Sequence, residues 1–279
     1  MNPSTRLGNS RCVDSNSVSF IDKRKEFIEY LQVNGYYDTT VEDVLRYLDK
    51  YPVSFREPQD VISLFCKVKR AKRHVILAIR LLLNFHETLG FDKYYLDRFR
   101  NAIPKVRCGI DLKIPSETQI IDSLGKLEDS PIKYKGLYNL LTDSGLRLVE
   151  AVHLINCFRG ADKINGFYRC VVGEFRGNKQ AYYGHFSEKT LQSIKDVNEE
   201  LNPRTASHYY PKMGYVSAKY IRKFVFDKMI ELEIPESIAD FIQGRVPQRV
   251  GAKHYMALAR QASKYYPRYL DYIENLRRG

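Results

Sequence analysis

Lys219 and Arg222 stand three residues apart, Arg245 follows Gly244, and Tyr255 comes ten residues after Arg245. No acidic side chain lies between 241 and 270, a span that holds Arg245, Arg249, Lys253, Arg260, Lys264 and Arg268. A phenol among cations that no carboxylate neutralises is drawn toward its phenolate, because nearby positive charge favours the charged form. Such a group suits attack on a phosphate. Two further cations lie upstream. Arg147 belongs to Asp143-Ser-Gly-Leu-Arg147-Leu-Val-Glu150, where Gly145 permits a tight turn. That turn puts Arg147 in the first turn of a helix, where anions are favoured. Lys179, with Arg176 beside it, sits at the tip of a basic hairpin. Read alone, each residue has a bland alternative: Arg147 paired with Glu150, a hairpin lysine that only meets solvent, a Lys-x-x-Arg pair on a solvated helix, and Tyr255 as one of 21 tyrosines.

The elements that must position these residues are helical for the most part. Phe20, Phe27, Ile28 and Leu31 keep helical spacing over 20–34, and Thr40 loosely caps a second helix. Pro52 and Pro58 bracket a loop. Residues 59–89 carry the strongest helical pattern of the first half, with a turn near Arg70 able to split it. Lys67, Lys69, Arg70, Lys72 and Arg73 lie along it, and no acid occurs from 61 to 86. One-signed charge of this kind fits a helix against phosphates, with a solvated face as the alternative. A helix over 91–102 follows. Residues 103–115, with two prolines and a glycine, read as a linker. Ser116 caps a helix to Leu127, and 131–141 leads into the Arg147 segment. Short β runs at 167–172 and 180–186 flank Gly177-Asn178 as a hairpin. Ser187 caps a helix to Leu201, 202–215 reads as a loop, and helices follow at 217–231, from Pro235 to near Gln243, at 248–263 and at 267–276. The span 201–226 is again free of acids and includes Lys219, Arg222 and Lys223.

The chain has 279 residues, 44% of them hydrophobic, and a net charge of +12. That length fits one large or two ordinary domains with real cores. The charge points to a polyanion, nucleic acid before membrane. No apolar run spans a bilayer, and the first residues have no signal-peptide core, so a flexible N-terminal tail at 1–19 and a cytoplasmic setting are expected. Five scattered cysteines without a Cys-x-x-Cys pair read as free thiols. Six histidines without a close pair predict no metal site.

In chain order the pieces run Gly-Leu-Arg…Glu, hairpin lysine, Lys-x-x-Arg, Gly-Arg, Tyr. This resembles the catalytic domain of tyrosine recombinases of the phage-integrase type. That family shows a Gly-Leu-Arg-x-x-Glu box, a β-hairpin lysine, His-x-x-Arg, Leu-Gly-His and a tyrosine about ten residues on. Gly145, Leu146, Arg147 and Glu150 match the first box, Arg222 the second arginine, Gly244 the glycine, and Tyr255 the nucleophile. Lys219 and Arg245 replace the family's two histidines, a form similar to integrases of archaeal fusellovirus-like viruses and plasmids. The implied fold class is mainly α: a helical core DNA-binding domain at 20–102, and a mostly helical catalytic domain at 116–279 with a small β-hairpin or sheet. The implied activity is DNA strand cleavage and rejoining through a 3′-phosphotyrosyl intermediate, without metal, ATP or other cofactor. Tyr255, Arg147, Lys179, Lys219, Arg222 and Arg245 would form the catalytic set. Lys67, Lys69, Arg70, Lys72, Arg73, Arg176, Lys223, Arg249 and Lys253 would bind DNA. The partners would be double-stranded attachment sites and further copies of the chain, typically four at synapsis, with no membrane. A DNA-binding protein that has lost catalysis, and a type IB topoisomerase-like relaxing enzyme, are the alternatives.

Overall fold

The computed structural model describes residues 17–51, 53–105, 109–176, 179–246 and 257–278. The chain divides into two compact units, Met1–Ile110 and Asp111–Gly279, each with its own apolar core. No described helix is long and apolar enough to cross a membrane.

The first unit is built of α1 (Arg24–Val33), α2 (Asp38–Lys50), α3 (Pro58–Lys67), α4 (Lys72–Thr88) and α5 (Lys93–Ala102). A two-residue antiparallel ladder joins β1 (Val18–Ser19) to β2 (Ser54–Phe55). Val18 and Ser19 are buried, so the expected tail at 1–19 is ordered at its end. Phe20 fills the core ahead of α1 rather than on it, and α2 begins at Asp38 with Thr40 already inside its first turn. The long pattern over 59–89 resolves into α3 and α4. Asp60 Oδ2 accepts from the N–H groups of Arg56 and Glu57, which fixes the start of α3 beside Pro58 at its first position. The break comes at Ala71, which takes a left-handed φ of 57°. Helix α4 is the centre of this core, with Val75, Ile76, Ile79, Leu82, Leu83 and Phe85 all buried. Its His86 is buried but satisfied: one ring nitrogen faces the Leu82 carbonyl at 2.9 Å and the other accepts from the Ser19 N–H.

The second unit holds α6 (Glu117–Lys126), α7 (Ile132–Ser144), α8 (Leu148–Asn156), α9 (Glu188–Lys195), α10 (Pro203–Lys212), α11 (Ala218–Glu231), α12 (Glu236–Ile242) and α13 (Leu258–Leu276). They surround an antiparallel sheet ordered β3 (Asp162–Ile164), β4 (Phe167–Arg176), β5 (Lys179–Phe186). The caps expected at Ser116 and Ser187 are made: their hydroxyls accept from Gln119 N–H and Thr190 N–H. Strand β3 was not anticipated. It turns into β4 at Asn165-Gly166, both at positive φ, the pair that a tight hairpin favours. The expected turn residues Gly177-Asn178 lie outside the described residues.

Three expectations fail for identifiable reasons. Helix α9 ends at Lys195 rather than Leu201, whose backbone N–H and carbonyl are instead both bound by the Asn156 side chain at 3.0 and 2.9 Å. The expected loop 202–215 contains α10. Asn202 caps it through Arg204 and Thr205, Pro203 occupies a position where no N–H is needed, and buried Ala206 and Tyr210 anchor it. The expected break before Pro267 is absent, because α13 runs through it. Loss of one helical hydrogen bond at proline is outweighed by a buried stripe of Ala262, Tyr266, Tyr269, Leu270 and Ile273. The start expected for this helix at Gln248 lies outside the described residues.

Helix α13 is tied to the end of α7. Tyr266 and Tyr269 hydroxyls donate to the carbonyls of Asp143 and Thr142. Beyond the helix, Arg277 Nη2 lies 2.6 Å from Asp143 Oδ1, with side chains 5% and 0% exposed. The other carboxylate oxygen accepts from Ser187 N–H and Oγ–H, each at 2.8 Å. A buried ion pair contributes little relative to apolar packing, but losing one partner strands a charge.

His185 on β5 is wholly buried between the rings of Phe167, Tyr183 and Tyr266, and neither ring nitrogen has a hydrogen-bond partner among the described residues. Burial, helped by the Arg169 charge, pushes it down to about 3. The unfolded chain, with the imidazole near its ordinary value of about 6.5, therefore binds this proton first. Stability falls as pH drops from the unfolded value toward the folded one, with a slope of up to ~1.4 kcal/mol per pH unit. Urea titrations between pH 7 and 4 should show a shallower loss for His185→Phe than for wild type. Identical slopes would mean another group governs acid unfolding.

Candidate active site

Two turns organise the site. Gly145 closes α7 in the left-handed region (φ 60°), and Gly244 follows α12 in the same region (φ 72°). Neither position has room for a side chain. A Cβ on Gly145 would meet Gln243 Nε2 at 2.4 Å and Val225 at 2.8 Å, and one on Gly244 would meet the Ala181 Cβ at 2.8 Å. The close approach lets Arg222, on α11, join both turns. Its Nη1 donates to the Gly145 carbonyl at 2.7 Å and to the Gln243 carbonyl at 2.6 Å. Gln243 Nε2 returns a bond to the Arg222 carbonyl at 2.9 Å.

Arg147 arrives from the other side. It is the residue before α8 and has extended φ and ψ, where the sequence placed it in the first helical turn. Glu150, 3% exposed, accepts the Arg147 backbone N–H on one oxygen and its guanidinium on the other. The same Nη1 also donates to the Gly244 carbonyl at 2.7 Å. The pairing with Glu150 and the presentation of the arginine thus occur together. Arg245 lies over the Phe226 ring, 4.9 Å from its centroid, and reaches Asp240 at 3.3 Å. Its backbone forms a β-bridge with Lys179, and Gln180 N–H donates to the Gly244 carbonyl. Segment 244–245 therefore lies along β5, and exposed Lys179 begins that strand.

Four of the six predicted catalytic residues, Arg147, Lys179, Arg222 and Arg245, gather at this turn. The guanidiniums are close enough to matter to one another. Burial, then the charges of Arg147 and Arg245, pull Arg222 down to about 9, against the weaker pull of Glu150 and Asp240. It remains a cation at neutral pH. Its Nη2 is buried and has no hydrogen-bond partner among the described residues. A cluster with excess positive charge and an unused donor is built to receive an anion with several oxygens.

Lys219 is placed differently. It is 66% exposed and bound to Asp111 at 2.6 Å, so it and Arg222 do not converge on one point as their spacing suggested. Lys223 lies one turn further along the same helix and also binds Asp111. Tyr255, Arg249 and Lys253 lie outside the described residues. Arg176 ends β4 opposite Lys179. In the first unit, Lys67, Lys69, Arg70, Lys72 and Arg73 are all exposed around the turn between α3 and α4. Among the described residues no group of three His, Cys, Asp or Glu side chains gathers as a metal would require.

Gln243, Asp240 and Asp111 were missed from the sequence. Asp240 sits one residue before the acid-free span, a signal that could have found it. Its own carboxyl is raised by burial and lowered again by Arg245. Gln243 had no local signal, because its role depends on the return of α11 beside α12.

Gly145→Ala should cost more than its backbone strain of ~1–3 kcal/mol, because the added methyl also strikes Gln243. Gly166→Ala, at φ +88° in open space, provides the comparison. Urea unfolding should show a loss at least ~1 kcal/mol larger at 145 than at 166. Equal losses would mean that the contact with Gln243 is slack.

Comparison with known proteins bears on this arrangement. No curated protein matches the chain. The crystal structure of a lambda integrase tetramer bound to a Holliday junction superposes with a TM-score of 0.65 at 12% identity, covering 88% of this chain and 84% of that one. This likeness is one of fold. XerA recombinase gives a TM-score of 0.35 at 14% identity, covering 88% of this chain and 97% of that one. A family model described as archaeal phage integrase matches residues 112–272, more than half of the chain and all of the turns that hold the arginines. The chain belongs to the archaeal phage integrase family and is a tyrosine recombinase of the integrase type.

Proposed function

We propose that this recombinase cuts and rejoins duplex DNA at attachment sites through Tyr255, and that it integrates a viral or plasmid genome. The buried Nη2 of Arg222, which has no hydrogen-bond partner among the described residues, carries this reading from the centre of an arginine cluster. In the reaction the Tyr255 oxygen bonds to a backbone phosphorus while the phenol gives up its proton to solvent water. The bond from phosphorus to the 5′-oxygen breaks, leaving a 3′-phosphotyrosyl link and a 5′-hydroxyl. Arg147, Arg222 and Arg245 hold the non-bridging oxygens as charge grows there. Lys179 supplies the proton to the departing 5′-oxygen. The ester keeps the bond energy, so a 5′-hydroxyl of a second duplex reverses the step without ATP or metal. Lys219 stabilises the phosphate or the phenolate.

The exposed cations around the α3–α4 turn give the first unit, taken as a core DNA-binding domain at 20–102, its contact to the backbone. Lys223, Arg176, Arg249 and Lys253 add further phosphate contacts. Exchange between two duplexes calls for several copies. The lambda integrase relative is a tetramer on a Holliday junction, and we assign a tetramer to this chain at synapsis as well.

On a nicked suicide duplex, wild type should become covalently attached to the 3′ side and Tyr255→Phe should not. Attachment of the Phe variant would move the nucleophile elsewhere, and attachment of neither would favour a binding protein on this fold. Arg222→Lys keeps the charge but loses the forked geometry. It should slow attachment by about 10²-fold or more while changing duplex affinity only a few-fold. A comparable collapse in affinity would assign Arg222 to docking. Joining of two separate duplexes, rather than relaxation of one plasmid, separates an integrase from a relaxing enzyme.

A further inference from the structure

Asp111 opens the second unit and sits against α11. Its Oδ2 accepts from Lys219 Nζ at 2.6 Å, and its Oδ1 lies 3.2 Å from Lys223 Nζ. Lys223 Nζ also donates to the carbonyls of Asp111 and Lys113. Below them is the ring of Tyr220, with the ammonium groups of Lys113, Lys219 and Lys223 at 4.8, 5.0 and 5.7 Å from its centroid. Three cations thus share one aromatic ring, and two of them, Lys219 and Lys223, share one carboxylate. The two carboxylate oxygens each take one lysine, as two non-bridging oxygens of a phosphodiester would. Pairing with Lys219 first and Lys223 second holds the Asp111 carboxyl down to about 2, so it is charged throughout the working range.

We propose that Lys113, Lys219 and Lys223 form a seat for one DNA backbone phosphate, which Asp111 fills in the free protein and vacates when duplex binds. The seat carries two positive charges beyond what Asp111 neutralises, so a phosphate inside a polyanion outcompetes a single tethered carboxylate at low salt. Arg222 lies between Lys219 and Lys223 on the same helix, so the seat and the arginine cluster share α11. The proposal rests on reading duplex DNA as the substrate.

The test is duplex binding by the full chain as a function of salt, in a Tyr255→Phe background that prevents covalent capture. Asp111→Asn should raise affinity about twofold to fivefold at low salt, the range expected for release of an exposed ion pair. Asp111→Ala serves as a second variant in case asparagine still accepts a bond from Lys219. In a Lys219→Ala, Lys223→Ala background, the Asp111 change should have no effect. Unchanged or weaker binding by both Asp111 variants overturns the proposal. So does an equal gain in the double-lysine background, which would make it a matter of net charge. Covalent attachment, followed in parallel with Tyr255 present, keeps the two readings apart. A gain in affinity without attachment by any variant sinks the cleavage reading and leaves the seat standing. Attachment without the gain does the reverse.

Discussion

The structure of the second unit turns on one largely buried guanidinium. Arg222 is 9% exposed, has no carboxylate bonded to it among the described residues, and spends one nitrogen on two backbone carbonyls from turns that are 98 residues apart in the chain, at Gly145 and Gln243. Burying a cation in this way costs several kcal/mol unless its hydrogen bonds are met. Gly145 and Gly244 make the carbonyls available, because only a chain without side chains at those points can bring the turns together. A further donor, Nη2, has no partner among the described residues. Stability and reactivity therefore pull against each other at this residue, and Glu150 and Asp240 moderate the conflict by partnering the two flanking arginines rather than Arg222 itself.

Much of this could be read from residue order, and the exceptions have physical causes. Ser116 and Ser187 mark helix starts because caps act within a single turn. Gly145 and Arg147 were legible because a turn followed by an apolar period is a local pattern. Asn165-Gly166 carries an equally strong hairpin signal, and β3 goes unrecognised without it. The 202–215 segment misleads because its two prolines suggest irregular chain, whereas Pro203 starts α10 and Pro211 falls in its last turn. Pro267 misleads in the same way, and there tertiary packing overrides the local cost. The arginine cluster was legible as a set of residues but not as a geometry. Lys219 shows the limit: spacing put it beside Arg222, and a residue 108 positions away turned it outward.

That displacement sharpens the chemistry expected from a lysine where the family's pattern has histidine. A neutral imidazole can accept the tyrosine proton, whereas an ammonium must first lose one of its own. Bonding to Asp111 raises the Lys219 pKa further, so the free protein holds this residue firmly as an acid or a point charge. Whatever accepts the tyrosine proton, Lys219 paired with Asp111 is unsuited to it. Arg245 in the place of the second histidine also only donates. Under the proposed function, both replacements would move the site from proton traffic toward charge stabilisation.

The pairing of Arg277 with Asp143 has a consequence for how the protein is made. The bond from Arg277 to neighbouring Thr142 spans 135 residues. At roughly 5–20 residues per second of synthesis, the end of α7 waits on the order of ten seconds for its partner. During that interval Asp143 lacks its cation, and the tyrosines of α13 have yet to cover it. The end of α7 therefore gains its buried cation only after α13 has been made.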